Sequence, residues 1–185
     1  MKIKALLYVS LAGISLISSL PVNAEPAAGQ AVFQKLYDKA DVAAAKKDAD
    51  GSIANYSTTV VAVQKDGTTK GYSDLLSAAQ QAFALASSIS SHTKIVTCKI
   101  NGSAATVVQD GVTKISIPNP TGGPAMVIED TARARDEWKK GDGGWKIVKE
   151  VIISSDMKAN GRPVGDILGG AGTSLPDPTP DEPSE

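Results

Sequence analysis

Moving a proton near neutral pH takes a side chain that can both release and recover it, and this sequence holds few. His92 is the sole histidine and Cys98 the sole cysteine. That excludes a histidine-rich metal site, and any serine–histidine or histidine–cysteine centre has to be built around His92. The remaining route is a carboxylate whose pKa a dry pocket raises, beside a hydroxyl that steadies developing negative charge. Asp136 and Tyr56 answer to that description, so Asp136, Tyr56 and His92 are the catalytic candidates. Each also has a plainer reading, and for His92 it is a half-exposed residue at the start of a strand. Arg133 and Arg135 suit either an anion or cross-strand ion pairs such as Arg133 with Glu150 and Glu137 with Lys146. Cys98 has no disulfide partner and reads as a small apolar side chain on a buried strand. No phosphate loop, zinc spacing or nucleophile elbow occurs, so neither a metal nor a cofactor is expected.

Elements of two kinds must position these groups. From Pro26 to about Lys47, Val32, Phe33, Leu36, Tyr37 and Ala40 recur in steps of three and four, which predicts a long amphipathic helix ended by Asp48-Ala49-Asp50-Gly51. The β-branched run Ser57 to Val63 is a strand closed by Lys65-Asp66-Gly67. A second helix opens at Tyr72-Ser73-Asp74 with Ser73 as its N-cap. It turns Leu75, Leu76, Ala79, Phe83 and Ala86 inward, and ends in the serines 87–91. The periodicity then switches to two, predicting strands His92 to Ile100, Ala104 to Ile117 with a bulge at Gly111, Met126 to Lys139, and Trp145 to Ser155. Asn101-Gly102 joins the first pair and Lys140 to Gly144 the last. The loop Pro118 to Pro124 stays on the surface.

If Trp138 and Trp145 face each other, Asp136 pairs with Ile147, Ala134 with Lys149 and Ala132 with Val151. Trp145, Ile147, Val151 and Ile153 make that face the apolar one, so Lys149 points into the interior. A bulge would reverse this. Tyr37 and Phe83 are core residues first and ligand wall second. The ligand-binding candidates are therefore Tyr37, Tyr56, Phe83, His92, Asp136 and Lys149.

The two ends differ from the middle. Lys2 and Lys4 precede an uncharged apolar stretch, and Val22 and Ala24 stand at −3 and −1 of a cleavage point, the pattern of a secretory signal peptide over residues 1–24. Its apolar run is too short and too interrupted to anchor the chain in a bilayer. Removing it leaves 161 of the 185 residues and moves the net charge from −1 to −3 with the loss of Lys2 and Lys4. The product would be a single domain over residues 25–168, periplasmic or secreted, with no basic stripe for nucleic acid. Residues 169–185, rich in glycine, proline and acids, read as a disordered tail.

Helix, strand, helix and a run of antiparallel strands is an α+β order in which a curved, mostly antiparallel sheet wraps a long N-terminal helix as a cone. From Phe33 to Ser155 the chain resembles the nuclear transport factor 2-like (cystatin-like) superfamily, and within it the SnoaL-like proteins. The residues that carry the resemblance are Arg133-Ala134-Arg135-Asp136-Glu137-Trp138-Lys139-Lys140-Gly141-Asp142-Gly143-Gly144-Trp145-Lys146-Ile147-Val148, the turn Lys65-Asp66-Gly67 to Gly71-Tyr72 ahead of a helix, and Ile100 to Ala105. The resemblance implies a hollow that often holds a carboxylate base, with a histidine where this chain has Lys149. It also implies activities ranging from isomerases, hydrolases and dehydratases to binders without catalysis.

Three readings of the function follow. An apolar cone without a clear acid–base set favours an exported binder of a small apolar or weakly anionic molecule. An isomerase or dehydratase would use Asp136, Tyr56 or His92. An accessory module would form a homodimer through the convex sheet face, with the acidic tail as a docking segment.

Overall fold

A computed structural model describes residues 28–119 and 122–164. The expected signal peptide and the expected acidic tail lie outside the described residues. Helix α1 (Ala28–Ala45) forms where the apolar spacing places it and turns Phe33, Tyr37, Asp41 and Ala44 inward. Lys47, with φ of +59°, ends it. The expected stop signal does more than stop the helix: Asp48 accepts a hydrogen bond from the Gly51 N–H at 2.9 Å and caps a further short helix, α2 (Ala49–Ser52).

Strand β1 (Tyr56–Val63) and the two-residue β2 (Thr69–Lys70) lead to α3 (Tyr72–Leu85). The N-cap of α3 is Gly71 rather than Ser73. The Asp74 carboxylate reaches back to accept from the Gly71 N–H at 2.9 Å, so the aspartate does the capping from inside the first turn. Four long strands follow, β3 (Ser88–Asn101), β4 (Ala104–Ile117), β5 (Met126–Gly141) and β6 (Gly144–Ala159), then the short β7 (Arg162–Pro163). The serines expected in a loop belong to β3, because pairing of Ser88 to Ser91 with Ser116 to Thr113 of β4 outweighs their weak strand propensity.

The sheet runs β2-β1-β6-β5-β4-β3, with β7 beside β6. All neighbours are antiparallel except β1 and β6, which run parallel. It is the expected α+β cone: a bent, unclosed sheet with α1 against it. The bulge lies between Ile95 and Thr97 on β3, while Gly111 keeps regular pairing with both neighbours. Two further breaks fall on β6, at Val148 and Ile153, each of which is skipped by the partners on β5. Bulges of this kind bend a strand and sharpen its twist, which gives the sheet its curvature.

The closing hairpin corrects the expected register. Gly141 pairs with Gly144, so Trp138 lies opposite Ile147 and Trp145 opposite Lys140; the tryptophans do not face each other. The cause is the tighter loop, which Gly144 permits with φ of +91°. Both indoles instead meet Phe33 of α1 edge-on, at centroid distances of 5.1 and 5.0 Å. The expected ion pairs shift with the register. Arg133 makes two bonds to Asp110, at 2.7 and 2.8 Å, and Glu137 lies 3.7 Å from Lys149.

Phe33, Tyr37, Ile95, Val107, Trp138 and Ile147 form one core between α1 and the concave face. Ala44, Ile53, Ala79, Phe83 and Ile89 form a second between the helices and the start of β3. Along the open side of β3, α1 supplies the missing ladder partners. Gln34 donates to the Thr93 carbonyl at 2.6 Å and accepts from the Ile95 N–H at 3.1 Å, and Asp41 accepts from the Thr93 N–H at 2.7 Å. A bare strand edge is thereby paired within the chain.

Candidate functional site

Between the helices and the concave face lies a cavity of about 80 Å³, several times the space one water needs. Helix α1 contributes Tyr37, Asp41 and Ala44. The ends of β1 bring Tyr56 and Gln64, and α3 brings Leu75, Ala79 and Phe83. The sheet contributes Thr93, Gln109, Ile147 and Glu150.

The bulge at Val148 decides the chemistry of the floor. Strict alternation from Ile147 would put Lys149 inside and Glu150 outside. The extra residue reverses the phase, so Glu150 is buried in the cavity wall and Lys149 turns outward toward Glu137. Glu150 is the register partner of Asp136, which is wholly buried. Two carboxyls therefore sit side by side in a dry interior, and each is held by a phenol. The Tyr56 hydroxyl donates to Glu150 Oε2 at 2.6 Å, and the Tyr37 hydroxyl donates to Asp136 Oδ2 at 2.5 Å.

Burial pushes the Glu150 carboxyl up to about 7, against the pull of the Tyr56 hydrogen bond. Asp136 is held well above the usual carboxylate range, first by burial and then by the neighbouring Glu150 charge. Tyr37 and Gln109 draw it back only in part. Both phenols are raised above the ordinary tyrosine value, by burial first and then by their carboxylates, so they remain neutral hydrogen-bond donors. Like charges this close cannot both ionise easily. Near neutral pH, Glu150 is poised to exchange its proton, beside an Asp136 carboxyl that is itself pushed toward the neutral form.

Three acceptors in this interior lack partners: Asp136 Oδ1, Gln64 Oε1 and Gln109 Oε1. Each orphaned buried acceptor costs about 1–3 kcal/mol. Asp41, also in the wall, is fully engaged by the Thr93 N–H, the Thr93 hydroxyl and the Ser91 hydroxyl. Among the described residues no cluster of three His, Cys, Asp or Glu side chains could hold a metal.

Of the residues singled out from the sequence, Tyr37, Tyr56 and Phe83 line the cavity. Asp136 lies directly behind Tyr37. Tyr56 is bonded to Glu150 rather than to Asp136, so the expected Asp136–Tyr56 pair becomes two crossed pairs. His92 is exposed, on the face of β3 opposite Thr93, and Lys149 is outside; neither reaches the cavity. Sequence reasoning missed Glu150, Asp41, Gln64, Gln109 and Thr93. A signal for Glu150 exists in the doublet Ile147-Val148, which breaks the alternation of β6. Asp41 announces itself as an acid one turn beyond Tyr37 on the apolar stripe.

No protein-family model matches the chain, and no curated protein matches it. Solved structures do. A domain of unknown function with a cystatin-like fold, from Nostoc punctiforme, superposes with a TM-score of 0.50 at 17% identity, over 68% of this chain and 77% of that one. A type 2 hexachlorocyclohexane dehydrochlorinase gives 0.54 at 15% identity, over 71% and 89%. A candidate scytalone dehydratase from Novosphingobium aromaticivorans gives 0.57 at 11% identity, over 69% and 85%. Identities this low speak for the fold alone, and it is the cystatin-like, nuclear transport factor 2-like cone that the residue pattern resembles.

Proposed function

We propose that the cavity carries out proton transfer on a small molecule, in a reaction of the isomerase or elimination kind, with Glu150 as general base. The observation that carries this reading is the pair of buried carboxyls, each bonded to a tyrosine, one of them in the cavity wall. Binding without turnover was favoured by an interior lacking acid–base groups, and the inward turn of Glu150 removes that ground. Two solved structures of the same fold bear the names of a dehydrochlorinase and a dehydratase, which remove a proton and a leaving group from adjacent atoms. That likeness agrees with the proposal in class only.

The residues divide the work as follows. Tyr56 holds Glu150 Oε2 and so orients the carboxylate, which takes a proton from a carbon of the occupant. In an isomerisation the resulting Glu150 acid returns that proton to a different carbon; in an elimination the leaving group departs with its electron pair. In its neutral form, toward which burial pushes it, Asp136 can reverse the sense of its 2.5 Å contact and donate to the Tyr37 oxygen. The Tyr37 proton is then free to meet the charge that develops in the cavity. Asp136 acts through Tyr37 and is a positioning residue.

The test is hydrogen–deuterium exchange at carbon in heavy water, followed by NMR, with hydroxyacetone and 4-hydroxycyclohexanone as probes. The wild type should exchange their acidic C–H positions faster than buffer, with a rate that rises as pH passes about 7, where Glu150 ionises. Glu150→Gln should lose roughly 10²- to 10⁴-fold, the usual contribution of a general base. Exchange at the buffer rate, or an equal rate in the variant, rejects the proposal. Export after cleavage at Ala24 is part of the same reading, and an N-terminus other than Glu25 on the protein recovered outside the cytoplasm would remove it.

A further inference from the structure

We infer that the occupant is a small uncharged or cationic molecule bearing hydroxyl or amine donors, and that the cavity rejects anions. This rests on the cavity being a binding site, as proposed above. It departs from the apolar or weakly anionic ligand that the sequence suggests, and the reason is the wall itself.

Charge comes first. The wall holds two carboxyls, Asp41 and Glu150, and no lysine, arginine or histidine. The cation expected inside, Lys149, points the other way and lies against Glu137. An anion entering this space would meet carboxyls in a low-dielectric interior with nothing to balance it.

Hydrogen bonding points the same way. The hydroxyl donors of the wall other than Tyr37 are spent within it, and Asn55 is held by the helix. Tyr56 donates to Glu150, Ser91 and Thr93 donate to Asp41, Asn55 donates to the Leu36 carbonyl, and Ser52 donates to the Ala49 carbonyl. The buried wall atoms that lack a partner are acceptors. Gln64 and Gln109 are each 6% exposed, both line the cavity, and the Oε1 of each lacks a partner. An occupant that fits supplies the donors. Tyr37 is the hydroxyl the site can release toward an acceptor on that molecule.

The experiment compares three probes of one shape at pH 8: cyclohexylamine, cyclohexanol and cyclohexanecarboxylate, titrated into the protein by NMR or calorimetry. The amine should bind at least tenfold tighter than the alcohol, and the carboxylate should not bind measurably. Glu150→Gln should bring the amine down to the level of the alcohol, whereas Gln109→Met should weaken both. In the wild type, amine affinity should fall as pH drops below about 7 while alcohol affinity holds, so the claim is testable even if a variant misfolds. The other titratable groups around Glu150 are Asp136, Tyr37, Tyr56 and Asp41. A carboxylate that binds as tightly as the amine, or an amine preference that survives Glu150→Gln and ignores pH, overturns the inference while leaving the proton-transfer reading standing. Failure of all three probes to bind counts against both.

Discussion

Glu150 is where burial and chemistry meet most directly. Its carboxyl is raised from 4.5 to about 7 on folding, so the folded state holds the proton more tightly than the unfolded chain does. The stabilising contribution of that proton is full below the unfolded value and is lost as pH rises through about 7. The wild type should therefore lose stability between about pH 4.5 and 7 through this group, by something on the order of 3 kcal/mol. Glu150→Gln, which has no proton to lose, should lack that slope. Denaturant melts of both proteins across the window are the measurement, and parallel curves would refute the assignment. Little of this was legible in the sequence. The acid is visible, but its direction depends on one extra residue at Val148, and the Ile147-Val148 doublet is a faint mark beside the strong alternation around it. Asp136 was legible because its strand keeps a clean period of two from Asp130 to Trp138.

At the level of elements, α1 does two jobs at once. Phe33 ties both tryptophans of the closing hairpin to the helix. Phe33→Ala should cost about 3–5 kcal/mol, a large part of the roughly 5–15 kcal/mol that holds an ordinary domain together. A loss under 1 kcal/mol by chemical denaturation would show that the packing is dispensable. One turn beyond Tyr37, Asp41 occupies the Thr93 N–H on the open edge of β3. Asp41→Ala should cost roughly 1–3 kcal/mol for the group left unpaired. Together with Gln34→Ala it should also free an edge for strand addition, seen as light scattering that grows with protein concentration. A double variant that stays monodisperse would argue against that guarding role. The long elements were readable because apolar spacing declares them. The N-cap at Gly71, the short β2 and the early start of β3 were not, since side-chain reach and cross-strand pairing set them rather than local propensity.

Across the whole molecule, the site is assembled from distant parts of the chain. Tyr37 and Asp136 are 99 residues apart, and Tyr56 and Glu150 are 94 apart. The first strand joins the sheet beside β6 and parallel to it, a pairing that cannot form until β6 itself is present. Contacts of such length slow folding, because the chain must close wide loops before any of them repays it. A polypeptide delivered amino-terminus first, from a ribosome or through a translocation channel, would therefore carry its tyrosines out ahead of the acids that they are to hold. No complete hollow would exist until nearly the last strand had emerged, so under the proposed function the topology itself would hold back proton transfer in a half-made chain.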